Sequence, residues 1–216
     1  EVVDLATTLV TDHAHAPMSH ALMAELSLIS SDAADLPAAR DCLAAIDATG
    51  ALHPREQAHR DAIEAWLAGD WLGAVAALNA LLIEWPTELL ALAIAHQLDF
   101  FLADAAELRD RPARTLARLD PAHPHRGFVA GMHAFGLEES GHYAMAEAVA
   151  LGAVEANPDD VWGVHAVAHT YEMLGCVDDG IEFMEDRRDD WGQSNLFTVH
   201  NWWHLALYYF DQQRWP

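Results

Sequence analysis

Four histidines in the last third of the chain carry its most specific chemistry. In the segment NPDDVWGVHAVAHTYEMLG, His165, His169 and Glu172 follow one another as His-x3-His-x2-Glu. On a helix this spacing puts two imidazoles and a carboxylate on one stripe. In VHNWWHLALYY, His200 and His204 repeat the one-turn spacing. If the two segments are neighbouring helices about 10 Å apart, both pairs face the same space. Two imidazoles one turn apart are spaced to chelate a single divalent ion, with further ligands from the next helix. His165, His169, His200 and His204 are therefore the candidate ligands for Zn²⁺, Fe²⁺, Mn²⁺ or Ni²⁺. His165, His169 and Glu172 form the candidate catalytic set, with Glu172 as ligand or general base. The same residues have a metal-free reading, in which polar groups of a groove hydrogen-bond one another, water or a ligand. Phe128, Glu138, Glu139 and Trp162 would line that space, with Trp202 and Trp203 as aromatic walls.

Helices must position these groups. Apolar residues recur at three- and four-residue spacing in segment after segment, as in Ala58–Ala68 and Trp71–Trp85, and no segment alternates like a strand. The fold class is all-α. The expected first helices of successive hairpins lie near 17–30, 56–68, 88–102, 126–139, 160–174 and 196–211. The second helices lie near 35–48, 71–84, 106–118, 143–156 and 177–187, and residues 1–12 read as the second helix of an earlier pair. Turns fall near Leu36, Trp71, Ala106, Tyr143, Val177 and Trp215, a spacing of roughly 34 to 38 residues. That is the tetratricopeptide period. Small residues sit where two helices must approach closely, at Ala62 and Ala134 in first helices and at Ala74 and Ala146 in second helices. The architecture expected is a solenoid of about six stacked antiparallel hairpins with a concave inner groove, forming a single domain over 1–216. The first helix of each hairpin would line the groove. In the repeat at 161, Val164, Val167, Ala168 and Tyr171 then face the core, while Trp162, His165, His169 and Glu172 face the groove.

Composition narrows the partners. Acidic residues outnumber basic ones 34 to 11, the formal charge is −23, and every basic residue is Arg. Such a field repels nucleic acid and anionic membranes and favours cations, metals, basic peptides and neutral small molecules. The only two cysteines, Cys42 and Cys176, are far apart and form neither a disulfide framework nor a zinc site. No phosphate-binding glycine loop, G-x-S-x-G or H-E-x-x-H is present. The chain begins at Glu1 without Met and stops where a helix should start, so it reads as part of a longer protein, cytoplasmic by default. Homo-oligomers are compatible with it. Of the remaining histidines, His96 and His133 fall on core-facing positions, with Asp99 placed to orient His96. His123 and His125 fall in a loop, and His13, His15 and His20 at an edge. The run Glu185–Asp190 reads as a solvated helix end.

The segments LALAIAHQLDFFLAD, FVAGMHAFGLEESGHYAMAE, NPDDVWGVHAVAHTYEMLG and VHNWWHLALYY resemble the tetratricopeptide repeat protein 38 family, over roughly residues 56–216. The resemblance implies a helical-repeat fold and marks His96, Asp99, Gly131, Phe135, Glu138, His165, His169, Glu172, His200, Asn201, Trp203 and His204 as matching positions. Asn201 joins the ligand-binding candidates on that ground. The chain departs from the pattern at His133, where an aromatic is expected, and at Ala103, where a turn glycine is usual. The function expected is binding of a small molecule or peptide in the His/Trp/Glu-lined groove. The alternative is a metal-dependent or His/Glu acid–base enzyme working on a small substrate in the same groove.

Overall fold

The computed structural model describes residues 2–193 and 197–213. Among these, the chain forms α1 (Val2–Asp12), α2 (Pro17–Ile29), α3 (Leu36–Ala48), α4 (Pro54–Leu67), α5 (Trp71–Glu84), α6 (Leu89–Phe101), α7 (Ala105–Leu116), α8 (Arg126–Glu139), α9 (Tyr143–Ala156), α10 (Val161–Leu174), α11 (Val177–Asp186), α12 (Arg188–Trp191) and α13 (Thr198–Asp211). The protein is all-α, and its helices pack sequentially. No helix among the described residues is long and apolar enough to cross a membrane. Trp215, the last turn position expected from the sequence, lies outside the described residues.

The turns have a common local cause. Ser31, Gly69, Ala103, Gly141, Gly175 and Gln213 all adopt positive φ, between 56° and 80°, at spacings that alternate between 38 and 34 residues. A left-handed residue ends one helix and frees the chain to start the next. In three cases the following residue is an aspartate, and Asp70 and Asp104 cap α5 and α7 by accepting from the Gly73 and Glu107 N–H groups. Ala103 takes φ 56° at the position where the sequence pattern leads one to expect glycine. It therefore carries steric strain that Gly69 and Gly141 avoid.

The residues divide into two compact units, Glu1–Leu102 and Ala103–Pro216. In the first, α2 packs on α1, α3, α4 and α6, and α5 packs on α4 and α6. Ala62 and Ala74 are 2% and 0% exposed, so the small residues do lie where helices meet. In the second, α8 packs on α7, α9 and α10, and α10 packs on α9, α11 and α13. Ala134 and Ala146 are fully buried there. Gly136 lets α8 close on α7, because a Cβ at that position would sit 2.2 Å from the Leu108 carbonyl.

Two apolar clusters hold α10 in place. Ala166 and Val167 pack with Leu108, Ala134, Phe135 and Ala150. Val164 and Ala168 pack with Val154, Met184, Trp191, Leu205 and Tyr208. The Tyr208 hydroxyl donates to the Ala168 carbonyl, which pins α13 against α10. The acidic run Glu185–Asp190 is exposed or half-buried at a helix end, as expected. Arg188 pairs with Glu185 near the surface, but the run leads into α12, whose Trp191 is fully buried and donates its indole N–H to the Met184 carbonyl at 2.9 Å.

Candidate metal centre

The second unit brings four imidazoles together. His165 and His169 are one turn apart on α10, His200 and His204 one turn apart on α13, and these two helices pack directly. One ring nitrogen from each of the four lies within 4.8 Å of the others. His165 and His204 are buried, His169 is half-buried and His200 is exposed.

The closest approaches are between Nε2 atoms. His200 Nε2 lies 2.8 Å from His165 Nε2 and 3.0 Å from His204 Nε2. A ring nitrogen has one proton or one lone pair, so His200 Nε2 cannot bond well to both neighbours. Around a tetrahedral ion with metal–nitrogen bonds of about 2.0–2.1 Å, ligand nitrogens stand about 3.3 Å apart. A single cation at the centre therefore needs these nitrogens to spread by only a few tenths of an ångström. His204 Nδ1 lies 3.1 Å from Glu172 Oε2. A carboxylate accepts there, so Nδ1 carries the proton and Nε2 keeps its lone pair for the cluster. His169 Nδ1 lies 3.4 Å from Glu138 Oε2, a charge contact without a hydrogen bond, and its Nε2 is buried with no partner. His165 has no such support, since its Nδ1 is buried and unpartnered.

Burial and mutual repulsion favour the neutral form of three of the four rings. Burial holds His165 well below the usual imidazole range, reinforced by its neighbours His169, His204 and His200. Burial, followed by His169 and His200, pushes His204 down to about 3. His200 is lowered by burial and by His169. Neutral imidazoles are the form that binds metal. Burial raises Glu172 above the ordinary carboxylate range.

The residues expected to line the site divide. Trp162 stands beside it, 6.1 Å from His165 and 4.4 Å from Phe197 between ring centroids. Phe135 packs 5.0 Å from His165 and 5.6 Å from His169. Phe197, just before α13, lies 5.2 Å from His165 and escaped the sequence reading, which gave the aromatic wall to Trp202 and Trp203. Trp202 instead packs against Trp191 at 5.0 Å, and Trp203 is 60% exposed. Phe128 sits in the first turn of α8 against His125, ten residues and thus about 15 Å along the helix from Glu138. Asn201 is fully buried, with neither amide atom hydrogen-bonded, on the α13 face that also carries Leu205 and Tyr208.

The first unit contains a buried histidine of a different kind, which sequence reading missed. His59 on α4 bonds through Nδ1 to Glu25 Oε1 on α2 at 2.7 Å, and its Nε2 lies 3.7 Å from Glu88 Oε1 at the start of α6. Arg55 also pairs with Glu88, which caps α6 through the Ala91 N–H. Burial alone would lower His59, but the two carboxylates outweigh it and raise the imidazole to about 9. Burial would raise Glu88, yet His59, the Ala91 N–H and Arg55 bring it down to about 2. A period-based signal could have found this pair. Glu25 and His59 are 34 residues apart, His165 and His200 are 35 apart, and Glu172 and His204 are 32 apart. In each case residues 32 to 35 apart meet on two helices that pack together, α2 on α4 and α10 on α13. Comparison with protein-family models finds none that matches the chain.

Proposed function

We propose that this protein is a helical-repeat metalloprotein in which His165, His169, His200 and His204 hold a divalent transition-metal ion that acts on a small substrate. One observation carries the reading: three Nε2 atoms crowd together at 2.8 and 3.0 Å where proton sharing cannot satisfy them all. The donor chemistry supports it. Imidazoles suit zinc, nickel, iron and copper, and the carboxylates of Glu138 and Glu172 behind two of the rings balance a doubly charged ion. A bound ion would supply Lewis-acid activation of a substrate oxygen. Glu172 accepts from His204 Nδ1 and so orients that ring. Phe135, Trp162 and Phe197 give the site an apolar side, while exposed His200 leaves it open to solvent and substrate. The alternating 38- and 34-residue spacing of the left-handed turns supports the tetratricopeptide-repeat solenoid reading, and with it the resemblance to the tetratricopeptide repeat protein 38 family.

A second reading keeps the site metal-free, as a binding groove in which His165, His200, His204 and Glu172 form a hydrogen-bonded chain. Metal analysis separates the two. Protein purified without a histidine tag or nickel column should carry near-stoichiometric metal by plasma mass spectrometry, and His165→Ala with His204→Ala should lose the ion held by the imidazoles. Metal-free wild-type protein that also takes up no zinc would overturn the metal reading.

A further inference from the structure

We infer that a second divalent cation binds beside the imidazole cluster, held by Glu138, Glu139 and Nδ1 of His169, which makes the centre dinuclear. The inference rests on the metal reading above and extends it. Glu138 and Glu139 close α8, and their carboxylate oxygens and a His169 ring nitrogen all lie within 4.8 Å of one another. Glu138 is the decisive group. Its side chain is only 5% exposed, and Oε2 has no hydrogen-bond donor although it lies 3.4 Å from His169 Nδ1. A buried carboxylate oxygen without a donor is costly unless a cation meets it. Glu139 approaches from the exposed side, which gives an ion a path from solvent.

His169 is the joint between the two sites. Its Nδ1 faces Glu138, while its ring packs at 4.3 Å from His165 and 4.5 Å from His204. The first ion then relies on His165, His200 and His204, whose Nε2 atoms already converge. Two carboxylates and one imidazole form a harder donor set than the imidazoles, and favour Mn²⁺ or Fe²⁺ where the histidines favour Zn²⁺. Paired ions of this kind clamp a substrate oxygen from two sides.

The test is a count of bound ions. Chelator-stripped full-length protein is dialysed against Zn²⁺ and then against Mn²⁺, and both metals are measured by plasma mass spectrometry. Wild type should hold about two ions per chain, and Glu139→Gln about one, with the manganese lost. Glu139 is exposed, so this variant leaves the core intact, as circular dichroism would verify. Glu138→Gln should give the same halving. One ion in wild type and both variants overturns the second site and leaves the first standing. Two ions in all three proteins also overturns it, because the carboxylates would then not be ligands. No ion in wild type overturns both readings.

Discussion

The two units bury histidine on the same kind of helix to opposite effect. In the first, His59 sits between Glu25 and Glu88, and opposite charges complete the cluster from within. In the second, imidazoles face imidazoles, with Nε2 atoms 2.8 and 3.0 Å apart, and carboxylates stand behind only His204 and His169. The first arrangement is held by ion pairs, although Glu25 Oε2 and His59 Nε2 have no hydrogen-bond partner. The second, as we propose, is completed by a cation. A buried histidine is thus informative through its neighbours: a facing carboxylate makes it an ion pair, and facing imidazoles make it a candidate ligand.

The largest expected effect tests this difference through stability. His59→Ala leaves the buried Glu25 carboxylate unpaired and should cost about 3–5 kcal/mol in urea unfolding, with metal content unchanged. His200→Ala, at an exposed site, should change metal-free stability by less than about 0.5 kcal/mol while abolishing zinc binding at the imidazole cluster. Equal stability costs would erase the distinction between the units.

The two units should also respond to acid with opposite sign. His59 has a raised pKa, so its stabilisation is complete below the unfolded value near 6.5 and fades as pH rises through about 9. His204 is depressed to about 3, so the folded form stays neutral while the unfolded chain takes up a proton below 6.5. Each buried neutral imidazole therefore loses about 2 kcal/mol between pH 6.5 and 5. His165 acts in the same direction. His200, also lowered, adds to this loss, while Asp160, pushed up to about 7 by burial, and Glu172, also raised, act in the opposite sense as pH falls and offset part of it. Hydrogen exchange read by mass spectrometry should show α13 losing protection at pH 5 while α4 keeps its own. Parallel losses in both would contradict the assignment of charge states.

Much of this contrast was legible in the chain. Helical periodicity placed the hairpins within two or three residues of their observed limits, because each segment carries its own apolar stripe and turn. The His-x3-His pairs were legible for the same reason: local spacing fixes which side chains share a face. What escaped depends on neighbours brought together by packing. Phe197 joins the aromatic wall only because α13 docks on α10, and Trp191 is buried because α12 folds back onto Met184. Glu25, His59 and Glu88 come from three different helices, so no local pattern announces them.

Smaller effects sharpen the picture. Glu172→Gln removes the charge behind His204 and should weaken metal affinity about tenfold or more, as read by competition with a chromogenic chelator. The matching change at Glu25 should leave metal affinity alone. At the smallest scale, Ala103→Gly should raise stability by about 1 kcal/mol by relieving the left-handed strain, whereas Gly141→Ala should lower it by a similar amount. Thermal unfolding midpoints would register both shifts.

The most direct measurement of the central claim is X-ray absorption at the metal edge on the zinc-loaded protein. The account predicts nitrogen ligands at about 2.0–2.1 Å with the outer-shell scattering of at least three imidazoles, lost in His165→Ala with His204→Ala. A zinc ion bound without imidazole scattering, or no bound zinc at all, would contradict it.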